Sequence, residues 1–175
     1  MPVTGFISRT SGAFEDISHL VLFACEAERR LAPTCRPVLL HAALLPVFGP
    51  PDHGRPIAFA CRELLRNCFS HAYAPHECVR VGVHLWGTES AGGLMTHLVV
   101  ADAGCGFDGS IAAGSGLARA RAAITAAGGA LRHDAGAGTV WRATLPFPPG
   151  ATLGPWAEAS SSLEYLHVTD QQLRA

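Results

Sequence analysis

The stretch RPIAFACRELLRNCFSHAYA, residues 55–74, decides the predicted fold, because it reads as one helix with two unlike faces. Pro56 suits the first helical turn, where its missing N–H would have no partner in any case. Apolar side chains then recur at steps of three and four residues: Ile57, Cys61, Leu64, Cys68 and Ala72. That spacing predicts a helix over residues 56–73 with one side turned toward a core.

The other side of this helix carries four polar residues: Glu63, Asn67, Ser70 and His71. They fall at i, i+4, i+7 and i+8, so a carboxylate, a carboxamide, a hydroxyl and an imidazole share one stripe. Asn is a weak helix former, and here it stands one turn after a Glu. The stripe is either an ordinary solvated face or a metal or phosphate site, and this motif alone leaves both interpretations open.

Length and composition exclude several classes of protein. The chain has 175 residues, 49% of them hydrophobic, which is enough for one well-buried core and an attached segment. Its 13 basic and 14 acidic residues leave no charge excess that would point to nucleic acid or an anionic membrane. The longest apolar runs are far shorter than the about 20 residues that span a bilayer. The six cysteines lack C-x-x-C pairing and no secretory leader begins the chain, so we expect a soluble, cytoplasmic protein.

Two apolar segments precede the central helix. Residues 13–31 have apolar side chains on one side and charged ones on the other, which predicts an amphipathic helix. Pro33 ends this helix, and a second apolar segment, residues 38–45, lies between Pro37 and Pro46. We predict that the two segments form a helical hairpin within an N-terminal region of residues 1–50, used to form a homodimer. Packing of this region on the chain's own sheet is the alternative.

The elements after the central helix complete one domain. Residues 79–86 and 94–101 read as an antiparallel pair of strands, and residues 117–127 as a helix ended by Gly128. Two closing strands follow at residues 130–133 and 139–145. The prediction is an α/β two-layer sandwich over residues 51–149, with both helices on one face of a mixed, mostly antiparallel sheet. The tail, residues 150–175, has no predicted role.

Two glycine-rich motifs precede the helix predicted at residues 117–127. Asp102 ends an apolar strand and is followed by Gly104 and Gly106, a spacing that lets the backbone approach a flat ligand while the carboxylate accepts from an exocyclic amine. A tight strand-to-loop turn explains this motif equally well. Gly114, Gly116 and Leu117 then open a helix, whose free N–H groups and positive dipole end favour phosphate.

The order of these motifs resembles the GHKL ATPases with the Bergerat fold, and within them the catalytic domain of bacterial sensor histidine kinases. The resemblance covers roughly residues 55–147 and is carried by E-x-x-x-N on a helix, D-x-G-x-G after a strand, G-x-G-L into a helix, and a final G-T. It implies an ATP-binding, histidine-kinase-like transferase of a two-component signalling pathway. ATP and Mg²⁺ are then the expected cofactors, and a receiver-domain response regulator is an expected partner.

The resemblance also implies a role for individual residues. Asn67 is the expected Mg²⁺ ligand, and Glu63 the base that activates water or a hydroxyl. Asp102 is expected to read the adenine amino group. The remaining residues assigned to the nucleotide site are His71, Gly104, Gly106, Gly114, Gly116, Leu117 and Thr139. Gly128, Gly129 and Gly138 match the glycines of the family's closing hairpin.

Three departures from the family pattern affect the expected activity. Ser70 stands where many members have Lys or Arg, which removes one phosphate contact. The lid that covers the nucleotide is reduced to residues 107–113, so turnover by the isolated chain should be slow. The family's phosphoacceptor motif is absent. His19, on the polar face of the first predicted helix, is the candidate acceptor.

Other functions are compatible with parts of this pattern. A nucleotide-dependent binding module resembling anti-sigma serine kinases also has E-x-x-x-N, and a dimeric phosphotransfer protein would keep a kinase-like domain that has lost ATP. A zinc site built from Cys61, Cys68, His71, His76 and Cys78 is a further hypothesis. Against it, Cys61 and Cys68 fall on the apolar helix face, where free cysteine behaves as a small hydrophobe.

Overall fold

A computed structural model describes residues 15–33, 37–90, 93–135, 138–147 and 152–153. The first half contains β1 (Glu15–Asp16), α1 (Ile17–Leu31), β2 (Val38–Leu44), β3 (Val47–Gly49) and α2 (Pro51–His71). The second half contains β4 (Val79–Ser90), β5 (Gly93–Asp102), α3 (Gly116–Ala126), β6 (Ala130–Ala135), β7 (Thr139–Pro146) and β8 (Thr152–Leu153).

The main sheet has five strands in the order β2-β4-β5-β7-β6. The β2–β4 pair is parallel and the other three pairs are antiparallel, as the predicted mixed, mostly antiparallel sheet requires. Register places Val83 opposite Val100 and Val100 opposite Trp141, so apolar side chains of neighbouring strands line up across one face. A second, small sheet joins β1, β3 and β8.

The three helices cover that apolar face of the main sheet. α2 packs against both α1 and α3, and all three contribute side chains to one core cluster with the sheet. The residues predicted for the core side of α2 are all buried: Ile57, Cys61, Leu64, Cys68 and Ala72. The predicted two-layer sandwich, with both later helices on one face, is therefore confirmed.

Local signals set the ends of the helices. Asp16 caps α1 by accepting from the Ser18 N–H at 2.9 Å, and Ser115 caps α3 by accepting from the Ala118 N–H at 3.2 Å. Gly128 follows α3 with φ of 84°, a conformation that glycine adopts without strain. α2 begins at Pro51, earlier than predicted, so Pro56 lies inside the helix.

The predicted helical hairpin is wrong. Its second segment forms strand β2, which pairs in parallel with β4 from Val38 opposite Val79 to Leu44 opposite Leu85. An uninterrupted apolar run of this length fits a strand as well as a helix, and a pairing partner about 40 residues away selects the strand. α1 and β2 share the core and sheet of the rest of the chain, so the described residues of this region, 15–33 and 37–50, do not form a separate helical region.

Other differences from the predicted elements lie at strand ends. β4 and β5 continue into the predicted turn and pair up to Ser90 opposite Gly93. β8 falls within the predicted tail and pairs with β3, whereas residues 154–175 lie outside the described part of the chain. In the part of the chain that the structure describes, no helix is long and apolar enough to cross a membrane.

A buried histidine joins the start of α2 to the sheet. His53 Nε2 lies 2.8 Å from Thr96 Oγ1, and the His53 ring stacks on Phe147 with ring centroids 4.7 Å apart. Thr96 is fully buried and His53 is 6% exposed. Burial disfavours the charged imidazole and lowers the pKa of His53 to about 4.

His53 should make the stability of the protein sensitive to mild acid. An unfolded histidine binds a proton near its ordinary pKa of 6.5, whereas folded His53 does so only near 4, so falling pH favours the unfolded chain across this window. The stability that neutral His53 contributes is present above that window and is lost as pH falls through it. Between pH of about 7 and about 5, we expect the free energy of unfolding of wild type to fall by on the order of 1–2 kcal/mol more than that of His53→Gln.

Urea denaturation at the two pH values measures this difference. His76→Gln is the matched control, because His76 is exposed and its loss should leave the wild-type pH dependence unchanged. Equal pH dependence in wild type and His53→Gln would show that His53 is not the buried group responsible.

Candidate functional site

The residues predicted for a ligand site come from three places that the fold brings together. α2 supplies Glu63 and Asn67, the end of β5 supplies Asp102, and the loop of residues 103–115 leads into α3. In the sheet, Asp102 lies opposite Thr139 on β7, so the D-x-G-x-G and G-T motifs are neighbours although 37 residues separate them. The structure thus places the motifs around one region beside α2.

Asp102 is a buried carboxylate, 6% exposed, with fixed donors. Its Oδ1 accepts from the Gly104 N–H at 2.9 Å, and its Oδ2 accepts from the Cys68 thiol at 3.4 Å. Thr139 adds a backbone hydrogen bond. Burial outweighs these bonds and raises the pKa of Asp102 above its ordinary value. Such a carboxylate is oriented by neutral groups and has no positively charged partner among these bonds.

Cys68 was predicted only as a core residue of α2, and its bond to Asp102 was missed. It is 2% exposed, as the apolar-face prediction requires. Burial and the neighbouring Asp102 raise the pKa of the Cys68 thiol, so it remains protonated and able to donate. The sequence contains no signal for this contact, because the two residues are 34 positions apart on different elements.

The glycines of the first loop serve two different purposes. A Cβ at Gly104 would overlap the Ala72 carbonyl oxygen, so the close approach expected at this position is made to the backbone of α2. The Cys105 N–H donates to that same oxygen at 2.7 Å. Gly106 has φ of 83°, a value that L residues rarely adopt. Gly104 therefore holds the loop against the end of α2, and Gly106 lets the backbone adopt a positive φ.

Tyr73 and Phe107 hold the two ends of the same loop. The Tyr73 hydroxyl accepts from the Ala103 N–H at 2.9 Å and donates to the Arg80 carbonyl oxygen. Phe107, the first residue of the predicted lid, packs edge-on against Trp141 and His133, with ring centroids 5.1 and 4.9 Å apart. The short lid is therefore anchored to the β6–β7 end of the sheet.

The polar stripe of α2 is not uniformly solvated. Glu63 is 6% exposed, Asn67 is half-buried, and Ser70 and His71 are exposed. The burial of Glu63 contradicts the interpretation of an ordinary solvated face at that position. Exposed His71 lies in the last turn of α2, where its carbonyl oxygen accepts from the Cys105 thiol at 3.6 Å.

Glu63 lies directly beneath the start of α3. A Cβ at Gly116, the first residue of that helix, would overlap the Glu63 carboxylate. Arg66 donates to Glu63 Oε1 at 3.3 Å, and Arg119 donates to Oε2 at 3.5 Å. Leu117 is 4% exposed and belongs to the core, so it fixes α3 and is not itself accessible to a ligand. The N-terminal end of α3, whose dipole favours an anion, therefore begins beside the Glu63 carboxylate.

A second buried carboxylate lies behind Glu63. Glu28 on α1 is 2% exposed and accepts from Arg62 Nε at 3.1 Å and from Arg66 Nε and one terminal nitrogen at 3.3 and 2.9 Å. Its bonds raise the pKa of Arg66. No local pattern in the sequence points to Glu28, Arg62, Arg66 or Arg119, because their long side chains meet only when three separate helices pack together.

The remaining predicted residues lie elsewhere or serve other purposes. The side chain of His19 is 80% exposed on α1, with Nε2 3.8 Å from Asp16 Oδ2. Cys61 is buried with its Sγ 4.0 Å from Cys25 Sγ, in the core. Within the described ranges, no group of three or more His, Cys, Asp or Glu side chains is arranged to hold a metal ion.

Comparisons with known proteins identify this architecture. No protein-family profile matches the sequence, and neither does any curated protein. Among solved structures, a blue-light activated histidine kinase of Erythrobacter litoralis EL346 superposes with a TM-score of 0.64 at 17% identity, over 75% of this chain and 42% of that one. The mycobacterial sensor histidine kinase MprB superposes with a TM-score of 0.60 at 23% identity, over 79% of this chain and 99% of that one. The Acinetobacter baumannii histidine kinase AdeS superposes with a TM-score of 0.53 at 18% identity, over 79% of this chain and 70% of that one.

The superposed regions are longer than residues 55–147, the part of the sequence that resembles the GHKL ATPases. They cover three quarters or more of this chain, whereas the chain spans less than half of the Erythrobacter protein. Because the sequence identities are only 17–23%, these superpositions establish the fold alone. Together with the five-stranded sheet and its three helices, they show that the chain has the fold of the ATP-binding domain of sensor histidine kinases.

Proposed function

We propose that the chain binds ATP with Mg²⁺ in the region between α2, the loop of residues 103–115 and α3, and that it acts as a histidine-kinase-like protein of a two-component pathway. The observation that carries the proposal is Asp102. It is a buried carboxylate with its orientation fixed by Gly104, Cys68 and Thr139, at the end of β5 in a histidine kinase fold.

Asp102 suits the adenine end of the nucleotide. A carboxylate can accept about four hydrogen bonds, and Gly104, Cys68 and Thr139 supply three, so one acceptor position is left for a ligand. An adenine amino group is a donor that pairs well with a carboxylate. The Cβ position of Gly104 is filled by the Ala72 carbonyl oxygen, so we expect the flat base to approach the backbone at Gly106, which carries no side chain.

The start of α3 suits the phosphates. Ser115 and Gly116 begin the helix, and its first N–H groups and positive dipole end favour an anion. Gly114, with φ of 74°, allows the chain to turn into this helix. Half-buried Asn67 offers a carboxamide oxygen, a hard donor of the kind that Mg²⁺ accepts together with waters and phosphate oxygens. Bound there, the metal would neutralise phosphate charge.

Glu63 is the group available for proton transfer. In phosphoryl transfer the bond between the terminal phosphorus and its bridging oxygen breaks as the acceptor atom attacks, and the acceptor's proton needs a base. Glu63 lies beneath α3, one turn before Asn67, but the ion pairs to Arg66 and Arg119 restrain it. A short lid and exposed, uncharged Ser70 add little transition-state stabilisation, so slow turnover is expected.

Partners follow from this function. A receiver-domain response regulator would accept the phosphoryl group, and exposed His19 is the candidate histidine on this chain. We also propose that the protein forms a homodimer, although the helical hairpin predicted to mediate it does not form. We place the protein in the cytoplasm, where ATP and response regulators are found.

A nucleotide-dependent binding module, as in anti-sigma serine kinases, is the second candidate. The observation that favours it is the state of Glu63, which is held in two ion pairs and so is not poised as a base. A phosphotransfer protein that has lost ATP is less well supported, because Asp102 and Asn67 are both present at the site.

Asp102 and Asn67 should affect ATP binding by different routes. We expect Asp102→Asn to weaken binding at least about tenfold, since it replaces a charged hydrogen bond by a carboxamide. The loss should persist when Mg²⁺ is removed and should shrink for inosine triphosphate, which lacks the exocyclic amine. Asn67→Ala should weaken binding only when Mg²⁺ is present. Calorimetric titration of the full chain measures each case.

Asp108→Asn is the matched control for Asp102→Asn. Asp108 is an exposed lid carboxylate that bonds the Ser110 N–H and hydroxyl, so its loss should leave ATP affinity nearly unchanged. A wild-type chain that binds no adenine nucleotide at millimolar concentration would show that the proposed function is wrong.

Glu63→Gln should separate catalysis from binding. Removing a general base costs about 10²–10⁴-fold in rate, so phosphate release or phosphoprotein formation should fall by at least the lower figure. ATP affinity should stay within about tenfold, because the side chain keeps its shape. Radiolabelled ATP assays with and without a candidate receiver protein measure the rate. Glu26→Gln, an exposed change on α1, is the control.

Either of two results would change the assignment. Wild-type turnover in Glu63→Gln would show that Glu63 is not the base. A wild-type chain that binds ATP but transfers no phosphate, even to a receiver protein, would replace the kinase by the binding module.

A further inference from the structure

Two arginines hold Glu63, and they are not equally restrained. Arg66 contacts Oε1 at 3.3 Å and Arg119 contacts Oε2 at 3.5 Å. The side chain of Glu63 is 7% exposed, whereas those of Arg66 and Arg119 are 44% and 60% exposed. Burying an ionised carboxylate without hydrogen-bonded partners is costly, and the two arginines donate to the Glu63 carboxylate, so at least one of the two pairs should persist while its charge is buried.

Arg66 is the restrained partner. Besides Glu63 it donates twice to Glu28, a carboxylate with a side chain only 3% exposed on α1. If Arg66 moved into solvent, Glu28 and Glu63 would each lose one positively charged partner. The cost of unpairing buried charge therefore keeps Arg66 in place.

Arg119 is the movable partner. Its ion pair with Glu63 is the only one it makes within the described residues, and 3.5 Å is long for a hydrogen bond between charged groups. It lies in the first turn of α3, where a positive side chain meets the positive end of the helix dipole. Glu63 offsets that unfavourable placement, and a bound phosphate at the same helix end would offset it equally well.

We propose that Arg119 contacts the terminal phosphate of the bound nucleotide and leaves Glu63 to do so, so that nucleotide binding releases Glu63 from one of its two ion pairs. This inference rests on the proposed nucleotide site at the start of α3. The exchange keeps every charge paired, since Arg119 gains a phosphate oxygen and Glu63 keeps Arg66. Arg119 also supplies the positive charge that Ser70 does not.

The exchange would prepare Glu63 for its proposed role. When Arg119 leaves, Glu63 Oε2 is free to accept from the N–H or O–H of the phosphoryl acceptor. Glu63 is therefore available as a base only when a terminal phosphate is present. Because Glu63 and that phosphate compete for one guanidinium, their effects on Arg119 must be coupled, and coupling is measurable.

A double-mutant cycle on the full chain tests the exchange, with calorimetric titration of ATP and AMP in the presence of Mg²⁺. Arg119→Gln should weaken ATP binding about tenfold, the effect of losing one hydrogen bond between charged groups, and leave AMP binding nearly unchanged. Glu63→Gln should tighten ATP binding about threefold in the wild-type background, because the competing anion is gone, and should give a smaller gain when Arg119 is already Gln.

Arg121→Gln is the matched control, because it removes the same charge from an exposed position on the same helix. If Arg119→Gln binds ATP as Arg121→Gln does, or if Glu63→Gln gives the same gain in both backgrounds, the exchange is overturned and the nucleotide site stands. A wild-type chain that binds neither nucleotide overturns both the site and the exchange.

A measurement on the wild-type chain avoids any effect of substitution on folding. The Nε–H resonance of Arg119 should shift when ATP is added and stay in place when AMP is added, because only ATP brings a terminal phosphate to α3. An Arg119 resonance that responds equally to both nucleotides, or to neither, overturns the exchange.

Discussion

Burial of one side of α2 is the constraint on which the rest of the site depends. The side chains of Ile57, Cys61, Leu64 and Leu65 are almost fully buried, between the sheet and the two flanking helices. Each such side chain contributes about 1.5–3 kcal/mol relative to exposure, so the helix cannot rotate about its axis without losing several such contributions. Because the helix is fixed in this rotation, the Glu63 carboxylate lies beneath the start of α3. Asn67, one turn later on α2, is half-buried.

The three buried carboxylates among the described residues, Glu28, Glu63 and Asp102, are stabilised in two distinct ways. Glu28 and Glu63 have guanidinium partners, which keep their charge in place and bind α1, α2 and α3 to one another. Asp102 has neutral donors instead, and its pKa is raised because those donors offset burial only in part. In the proposed function, an arginine of such an ion pair can exchange the carboxylate for a phosphate oxygen, whereas Asp102 accepts a hydrogen bond from the adenine amino group.

Close backbone contacts hold the loops around these carboxylates. A Cβ at Gly104 would overlap the end of α2, and one at Gly138 would overlap the Asp102 carbonyl oxygen. At Gly116 the obstacle is the Glu63 side chain itself. The glycines that read as ligand-binding in the sequence therefore serve first to let α2, β5, β7 and α3 approach one another. The motifs converge on one region as a result, and that region is where we propose that the nucleotide binds.

The sequence by itself determined the elements whose signals are local. Apolar periodicity, Pro and Gly located α2, α3 and strands β4 to β7 to within a few residues, except where β4 and β5 extend into their turn, because each signal acts on its own segment. Only the tertiary structure decided that residues 38–44 form a strand, since a short apolar run takes its conformation from the partner it pairs with. It also decided that Glu63 is buried and paired with Arg119, and that Cys68 donates to Asp102. Those contacts join side chains from elements distant in the chain, and no local pattern encodes the angle and distance at which such elements pack.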